Sequence, residues 1–294
     1  MKWNVCKRSE LRESFDAEAQ ELKAARLLLT AAVPVGPDNI KGGYDVPAVA
    51  SYLDFINVMA YDFHGKWENQ AGHNAPLYAP SSDSEWRKQL SVDHAANLWV
   101  KLGSPREKLV IGMPTYGRSF TLANARNFRV NDAAAGGGHE GVYTRESGVL
   151  AYYEVCEMLR SGKASYAWDD EMKVPYLVMG DQWVGFDDER SIRVKMSWIK
   201  KNNFGGAMVW TVDMDDFTGE LCSNRNVKYP LIGAMRYLHK FMCRKCFALV
   251  HPLSLATCKW FFFVVFFEQV ISWLSRWFLG KRSWFPTPYF SCPS

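Results

Sequence analysis

Four short apolar segments recur along this chain, and the stretches between them have the pattern of amphipathic helices. The first segment, RLLLTAAVPVG, ends in proline and glycine, as buried strands commonly do. Strands that are apolar on both faces and alternate with helices are typical of a parallel sheet covered by helices on each side. The alternation therefore predicts an α/β fold. The predicted strands lie within 26–36, 55–62, 108–120 and 204–217.

The helical segments are identified by their apolar spacing. In the first of them, Leu11, Phe15 and Leu22 share one face, and charged residues occupy the opposite face. Gly103 marks the end of the third. The predicted helices cover 11–25, 44–54, 84–103, 189–203 and 229–241.

The spacing of the strands indicates an insertion. A barrel of eight strand-helix units uses about 30 residues per unit, and the first two strands fit that interval. The gap between the third and fourth strands is too long for one helix. It contains a helical pattern at 141–159 and a hairpin-like pattern at 174–188. We therefore predict an inserted α+β subdomain at 121–187.

Composition excludes some partners and leaves others open. The net charge is +4 with 22% charged residues, and the basic residues are scattered, which argues against nucleic acid. Aromatic residues make up 15% of the chain, including 12 tryptophans. These rings could pack in a core or form a stacking surface for flat apolar faces such as sugar rings, and composition does not separate the two.

Four motifs together resemble the second half of an animal chitinase of glycoside hydrolase family 18. They are MAYDFHG, GMPTYGRSF, WVGFDD and GGAMVWTVDMDDF, and the resemblance covers residues 9–240. It implies a TIM-type (β/α)₈ barrel, represented here by its last four strands, with an α+β insertion. The domains expected are a partial barrel at 1–240, the insertion at 121–187 within it, and a hydrophobic tail at 241–294.

The resemblance implies hydrolysis of β-1,4-linked N-acetylglucosamine polymers by a substrate-assisted, retaining reaction. In that chemistry the 2-acetamido oxygen of the sugar attacks the anomeric carbon. The resemblance places Tyr61 on the acetamido oxygen, Met59 near the acetyl group, and Asp62 against sugars beside the cleaved bond. A turn with a capping carboxylate is the alternative for Tyr61 and Asp62. Neither a cofactor nor a metal is implied.

Other positions match residues of the family's sugar-binding cleft. Trp210 corresponds to the apolar floor under the sugar, Tyr116 and Arg118 to the wall beside the insertion, and Trp67 to a rim that stacks on leaving-side sugars. The alternatives are a core tryptophan at 210 and a structural ion-pair partner at 118. The expected partners are chitin or chitooligosaccharides, and the protein is expected to be monomeric.

One essential residue of the family pattern is missing. The proton donor is the glutamate of a D-x-x-D-x-D-x-E motif, and no D-x-D-x-E occurs in this chain. The nearest acidic cluster, VDMDDFTGE, has Glu220 at the wrong spacing. Three hypotheses remain: an incomplete chitinase inactive on its own, a non-catalytic lectin-like chitin-binding protein, or a truncated product without stable function. The absence of four whole strands favours the first.

Two cysteines carry information about the compartment. Cys156 and Cys222 match family positions that pair as a disulfide, which implies an oxidising, extracellular environment. The opening residues, MKWNVCKRSELRESF, contain no apolar segment, so no signal peptide is expected at this start.

The resemblance stops near Lys240, before an unusually apolar tail. A membrane helix at 260–279 is a weak candidate because Glu268 and Arg276 lie inside it. A read-through extension without function is favoured, and an ordinary amphipathic tail is the third reading. A zinc site at Cys243 and Cys246 is disfavoured because four well-placed ligands are required.

Overall fold

The computed structural model describes residues 5–222 and 226–236. The predicted tail at 241–294, with its candidate membrane segment at 260–279 and its Cys243–Cys246 pair, lies outside the described residues. None of the helices in the described part of the chain has the length and apolar character needed to cross a membrane.

The described residues form a mixed α/β fold. The α-helices are α1 Val5–Leu22, α2 Pro37–Gly43, α3 Val46–Tyr52, α4 Val92–Lys101, α5 Tyr152–Arg160 and α6 Glu189–Lys201, and residues 230–236 are also helical. The strands are β1 Thr30–Val33, β2 Phe55–Val58, β3 Leu109–Pro114, β4 Tyr116–Leu122, β5 Ala134–Gly137, β6 Val149–Ala151, β7 Ser165–Asp169, β8 Val174–Met179, β9 Gln182–Gly185 and β10 Gly206–Trp210. Short 3₁₀ turns cover Arg87–Gln89, Arg106–Lys108 and Val212–Met214.

A parallel sheet contains one strand from each predicted apolar segment. Its order is β1-β2-β3-β10, and each neighbouring pair is parallel. All six residues of β3 are buried, because this central strand has side chains packed on both faces. The predicted parallel sheet is confirmed.

An antiparallel sheet occupies the long gap between β3 and β10. Its order is β5-β4-β9-β8-β7, and β6 pairs with β4 on the side of β5. Helix α5 directly follows β6. This sheet begins at Tyr116, earlier than the predicted start at 121, because the segment 108–120 forms two strands that divide at Thr115. The first half pairs in the parallel sheet and the second in the antiparallel sheet.

Side-chain caps fix where several helices begin. The Ser91 side chain accepts the backbone N–H of His94 and starts α4, so the single helix predicted over 84–103 is shorter and follows a 3₁₀ turn. The Asp188 side chain accepts the N–H of Ser191 at the start of α6. The first helix was predicted at 11–25 and lies at Val5–Leu22, and two residues predicted on its apolar face, Leu11 and Leu22, are exposed.

A disulfide connects the antiparallel unit to the segment that follows β10. Cys156 on α5 is bonded to Cys222, with the two α-carbons 5.0 Å apart. The Asp216 carboxylate holds the same segment by accepting the N–H groups of Gly219, Leu221 and Cys222. Burial alone would raise the pKa of Asp216, but these donors lower it overall. The predicted pairing is present in the structure.

A buried lysine on α6 forms an ion pair with an aspartate just before the helix and a hydrogen bond with the loop that follows β2. Lys195 Nζ lies 2.7 Å from both carboxylate oxygens of Asp187 and donates to the carbonyl of Ala75 at 2.6 Å. Nearby, His73 Nε2 lies within 3.0 Å of the carbonyls of Pro175 and Phe186, and His73 Nδ1 accepts the N–H of Ala75. The loop, the antiparallel sheet and α6 are therefore held together by buried polar contacts.

Candidate active site

The predicted site residues lie where the parallel strands end. Tyr61 and Asp62 follow β2, Tyr116 begins β4 directly after β3, and Trp210 is the last residue of β10. Parallel strands present their carboxyl ends at one edge of the sheet, and loops at that edge carry the active sites of barrel enzymes. The topology therefore collects residues that are far apart in sequence.

Asp62 is the centre of this cluster. Its Oδ1 accepts hydrogen bonds from Tyr116 Oη at 2.7 Å and from Arg118 Nε at 2.8 Å, and Arg118 Nη2 lies 2.7 Å from the same oxygen. All the hydrogen bonds described for its side chain go to Oδ1, and the side chain is 37% exposed. Charge-assisted hydrogen bonds of this kind fix a carboxylate firmly. The described hydrogen bonds thus connect the carboxylate to side chains of β4, and none of them caps a turn.

The backbone of Asp62 has an unusual conformation that a buried asparagine supports. Its φ is 59°, in the left-handed region that non-glycine residues rarely adopt. The Asp62 N–H donates to Asn74 Oδ1 at 2.9 Å, and Asn74 Nδ2 donates to the Tyr116 carbonyl at 2.8 Å. Asn74 is fully buried. Sequence reasoning did not identify Asn74, because nothing in its local pattern indicates a contact with β4.

The two tyrosines of the cluster stay protonated at neutral pH. Their rings meet edge to face with centroids 6.2 Å apart. Burial, and then the charge of Asp62, raises the pKa of Tyr61. Burial also raises the pKa of Tyr116, and the charge of Asp62 and its hydrogen bond add to the effect. Both phenols can therefore donate a hydrogen bond and do not act as bases.

Arg118 connects the cluster to an exposed aromatic ring. Its guanidinium carbon lies 5.2 Å from the centroid of the Trp67 ring and 5.6 Å from that of Tyr116. Trp67 is 59% exposed, so a ligand has access to it. Gly65 leaves room for this ring, since a Cβ at position 65 would lie 2.4 Å from it.

Met59 and Trp210 lie at the same edge of the sheet but outside the central cluster. Met59, Tyr61 and Asp62 line an open pocket that also includes Val35 after β1. Trp210 is 40% exposed at the end of β10. The structure thus joins Tyr61, Asp62, Tyr116, Arg118 and Trp67 through contacts, and it places Met59 and Trp210 beside them. Within residues 5–222 and 226–236, no group of three or more His, Cys, Asp or Glu residues could hold a metal ion.

Comparison with known proteins decides the family. The model of the glycosyl hydrolases family 18 matches residues 8–215. The chain belongs to this family. Its members have a TIM-barrel fold.

Proteins named as chitinases and a pseudo-chitinase are among the relatives. The chain is 47% identical over 227 residues to chitotriosidase-1 of Mus musculus, covering 77% of this chain and 47% of that protein. An immunomodulatory active chitinase from Trichuris suis superposes with a TM-score of 0.78 at 46% identity, covering 80% of this chain and 64% of that one. Human YKL-39 is described as a pseudo-chitinase with retained chitooligosaccharide binding properties. It superposes with a TM-score of 0.77 at 42% identity, covering 80% of this chain and 64% of that one. The chain spans about half the length of the curated relatives it matches.

Proposed function

We propose that this chain forms one side of a chitinase-family cleft and binds β-1,4-linked N-acetylglucosamine oligomers. The observation that carries the proposal is the Asp62 carboxylate. Tyr116 and Arg118 hold one of its oxygens, and its second oxygen is left to accept a hydrogen bond from a ligand at an exposed edge of the sheet. A sugar hydroxyl or amide N–H is the kind of donor that such an oxygen accepts.

The neighbouring side chains suit the remaining parts of an acetylated sugar. A protonated Tyr61 donates to the acetamido oxygen, and Met59 packs against the acetyl methyl. Trp210 and Trp67 offer apolar faces to sugar rings, and such contacts contribute on the order of 1 kcal/mol each. In a substrate-assisted, retaining reaction, these groups orient the acetamido oxygen for its attack on the anomeric carbon.

Hydrolysis also requires a general acid, and we propose that this chain does not turn over chitin by itself. The printed sequence contains no D-x-x-D-x-D-x-E motif. A correctly placed acid typically contributes 10²–10⁴-fold in rate. Among the described residues of the cluster, both tyrosines have raised pKa values and Asp62 is tied to Arg118, so none replaces a glutamic acid at the leaving oxygen.

The architecture proposed for the chain follows the family. We propose that β1, β2, β3 and β10 are the last four strands of the barrel, within a partial barrel at 1–240. We also propose that the antiparallel unit between β3 and β10, predicted at 121–187 and beginning at Tyr116 in the structure, is an insertion. The disulfide supports an extracellular location for the protein. We expect a monomer.

A second candidate is a lectin-like protein that binds chitooligosaccharides without cleaving them. The observation that favours it is the similarity to human YKL-39, a pseudo-chitinase that retains this binding. The two candidates share the cleft and differ in whether hydrolysis can be restored.

The test uses the full chain and two titrations. Isothermal titration with N-acetylchitotetraose should show binding, and cellotetraose, which lacks the acetamido groups, should bind at least tenfold more weakly. Asp62→Asn should weaken binding about tenfold, whereas the matched variant Asp38→Asn on α2, an exposed residue, should not. Equal affinity for the two sugars would refute the proposal.

Turnover distinguishes the two candidates. The chain alone should release no chromophore from a chromogenic chitobioside. If a separately expressed family 18 amino-terminal half carrying the acidic motif restores release, the chain is the partner half of an enzyme. Continued sugar binding without release would favour the lectin-like candidate.

A further inference from the structure

A second cavity lies inside the antiparallel unit, on the side of the sheet away from Asp62. It has a volume of about 200 Å³, is partly open to solvent, and lies between α5, the loop at 139–142, and one face of β4, β8 and β9. Arg118 and Ser119 are neighbours on β4, and their side chains therefore project from opposite faces of the sheet. Arg118 reaches Asp62, whereas Ser119 lines this cavity. The cavity is separate from the sugar-binding cleft.

The walls of the cavity are mainly apolar. They include Leu150, Met158, Met179 and Val184. Methionine side chains adapt their shape to irregular apolar ligands. An apolar cavity of about 150 Å³ is large enough to hold benzene, so this one accommodates a body the size of a single ring.

One fully buried hydroxyl in the cavity wall has no protein partner among the described residues. Ser119 is 1% exposed, and its Oγ forms no hydrogen bond with any described residue. Ser119 is paired in register with Val184, and cross-strand partners share a face, so the hydroxyl is on the cavity side. Burying a hydroxyl without a partner is unfavourable, and a ligand that hydrogen-bonds with it would remove this cost.

Two other buried polar side chains of the lining, Gln182 and Glu154, already have partners within the protein. Gln182 Oε1 accepts the N–H of His139 at 2.7 Å. The Glu154 carboxylate accepts the backbone N–H groups of Tyr143, Thr144 and Ala151. Ser119 is therefore distinct from the polar groups beside it.

The lining also carries an excess of negative charge. Glu140, Glu154 and Glu157 line the cavity, and no lysine or arginine does. Backbone N–H groups surround the Glu154 carboxylate. Glu140 and Glu157, in contrast, form no ion pair within the part of the chain that the structure describes. The rim therefore favours a cation.

We propose that this cavity binds a small organic ammonium ion with an apolar body about the size of one ring. The body would contact the methionine and leucine walls, and the ammonium group would lie near Glu157 and Glu140. The unpaired Ser119 hydroxyl would hydrogen-bond with a polar substituent of the ligand. The proposal does not depend on sugar binding in the cleft.

Three probes of equal size and different charge test the site on the full, ¹⁵N-labelled chain at pH 7. Benzylammonium should shift amide signals of residues 139–142, 150–158 and 179–184 in an NMR titration. Its affinity should be at least tenfold higher than that of benzoate and about threefold higher than that of benzyl alcohol. Equal binding of benzoate, absence of saturable shifts, or shifts confined to the cleft around Trp67 would overturn the proposal.

Single substitutions separate the contribution of the acidic rim to binding from the contribution of the shape of the cavity. Glu157→Gln should weaken benzylammonium about threefold or more and leave benzyl alcohol unchanged, and the matched variant Glu13→Gln, an exposed residue on α1, should change neither. Ser119→Ala removes only the hydroxyl oxygen and should weaken benzyl alcohol about threefold, and an unchanged affinity would refute the role of the hydroxyl. Equal effects of Glu157→Gln and Glu13→Gln would refute the role of the acidic rim. Saturating N-acetylchitotetraose should leave the affinity for benzylammonium unchanged.

Discussion

Asn74 should be the most sensitive supporting residue of the candidate site. It is fully buried and links the loop after β2 to β4 by donating to the Tyr116 carbonyl and accepting the Asp62 N–H. Asn74→Ala removes both links. The carboxylate of Asp62 would then keep Tyr116 and Arg118 as partners but lose the support of its left-handed backbone.

The size of the effect follows from the two hydrogen bonds and the space left behind. Each buried hydrogen bond contributes about 1 kcal/mol net, and the lost carboxamide leaves a small cavity worth about 1 kcal/mol more. We therefore expect Asn74→Ala to lower the free energy of unfolding by about 3 kcal/mol. Because the Asp62 backbone can then relax, affinity for N-acetylchitotetraose should fall about tenfold.

Asn57 supplies the matched control. It is also a buried asparagine, but its Oδ1 has no hydrogen-bond partner among the described residues. Urea unfolding followed by tryptophan fluorescence, and sugar titration by calorimetry, would be carried out on both alanine variants. Asn57→Ala should cost clearly less stability and leave the affinity for sugar unchanged. If Asn74→Ala costs no more than Asn57→Ala, the two hydrogen bonds do not support the site as argued.

Three further measurements address the interior. Burial, and then the charge of Lys195, lowers the pKa of His73 to about 3, so the unfolded chain binds more protons between pH 3 and 6.5. The free energy of unfolding should therefore decrease as the pH falls through that window, by at most about 1.4 kcal/mol per pH unit. Urea unfolding at pH 7 and at pH 4.5 would measure this loss, and an equal loss for the wild type and His73→Gln would contradict the prediction. Cys222→Ser should lower the free energy of unfolding by up to about 4 kcal/mol, because the bond to Cys156 spans 66 residues, and an unchanged urea midpoint would contradict the estimate. Lys195→Met should cost about 3–5 kcal/mol because it leaves Asp187 buried without its cation, and adding Asp187→Leu should recover stability in thermal denaturation.

The sequence predicts the parallel sheet well because burial on both faces leaves an uninterrupted apolar pattern. Each of the four apolar segments contains one of its strands. The same pattern does not show where a strand changes sheets. Residues on both sides of Thr115 form strands, so the division of this segment depends on tertiary pairing with β10 and β9 and has no local signal.

The residues of the candidate site also fall into two groups, those that sequence motifs predicted and one that they did not. Tyr61, Asp62, Tyr116 and Arg118 were predicted through family motifs, and the structure places them in contact. Asn74 was missed because its two hydrogen bonds reach residues 12 and 42 positions away. The start of a helix, in contrast, has a signal in the neighbouring residues. Ser91 as the cap and Asp93 in the first turn could have predicted the correct start of α4.

The position of the antiparallel unit between β3 and β10 in the chain affects the order in which the molecule folds. In the parallel sheet Gly206 lies opposite Val110, with the whole antiparallel unit between them in the chain. Bringing two such distant segments together costs conformational entropy that increases with the length of the loop, and contacts of this kind form slowly. A folded antiparallel unit shortens that loop. We therefore expect the antiparallel unit to fold first and the β3–β10 pairing to form late. The candidate site, which contains residues from both sides of this pairing, would then be one of the last parts of the molecule to assemble.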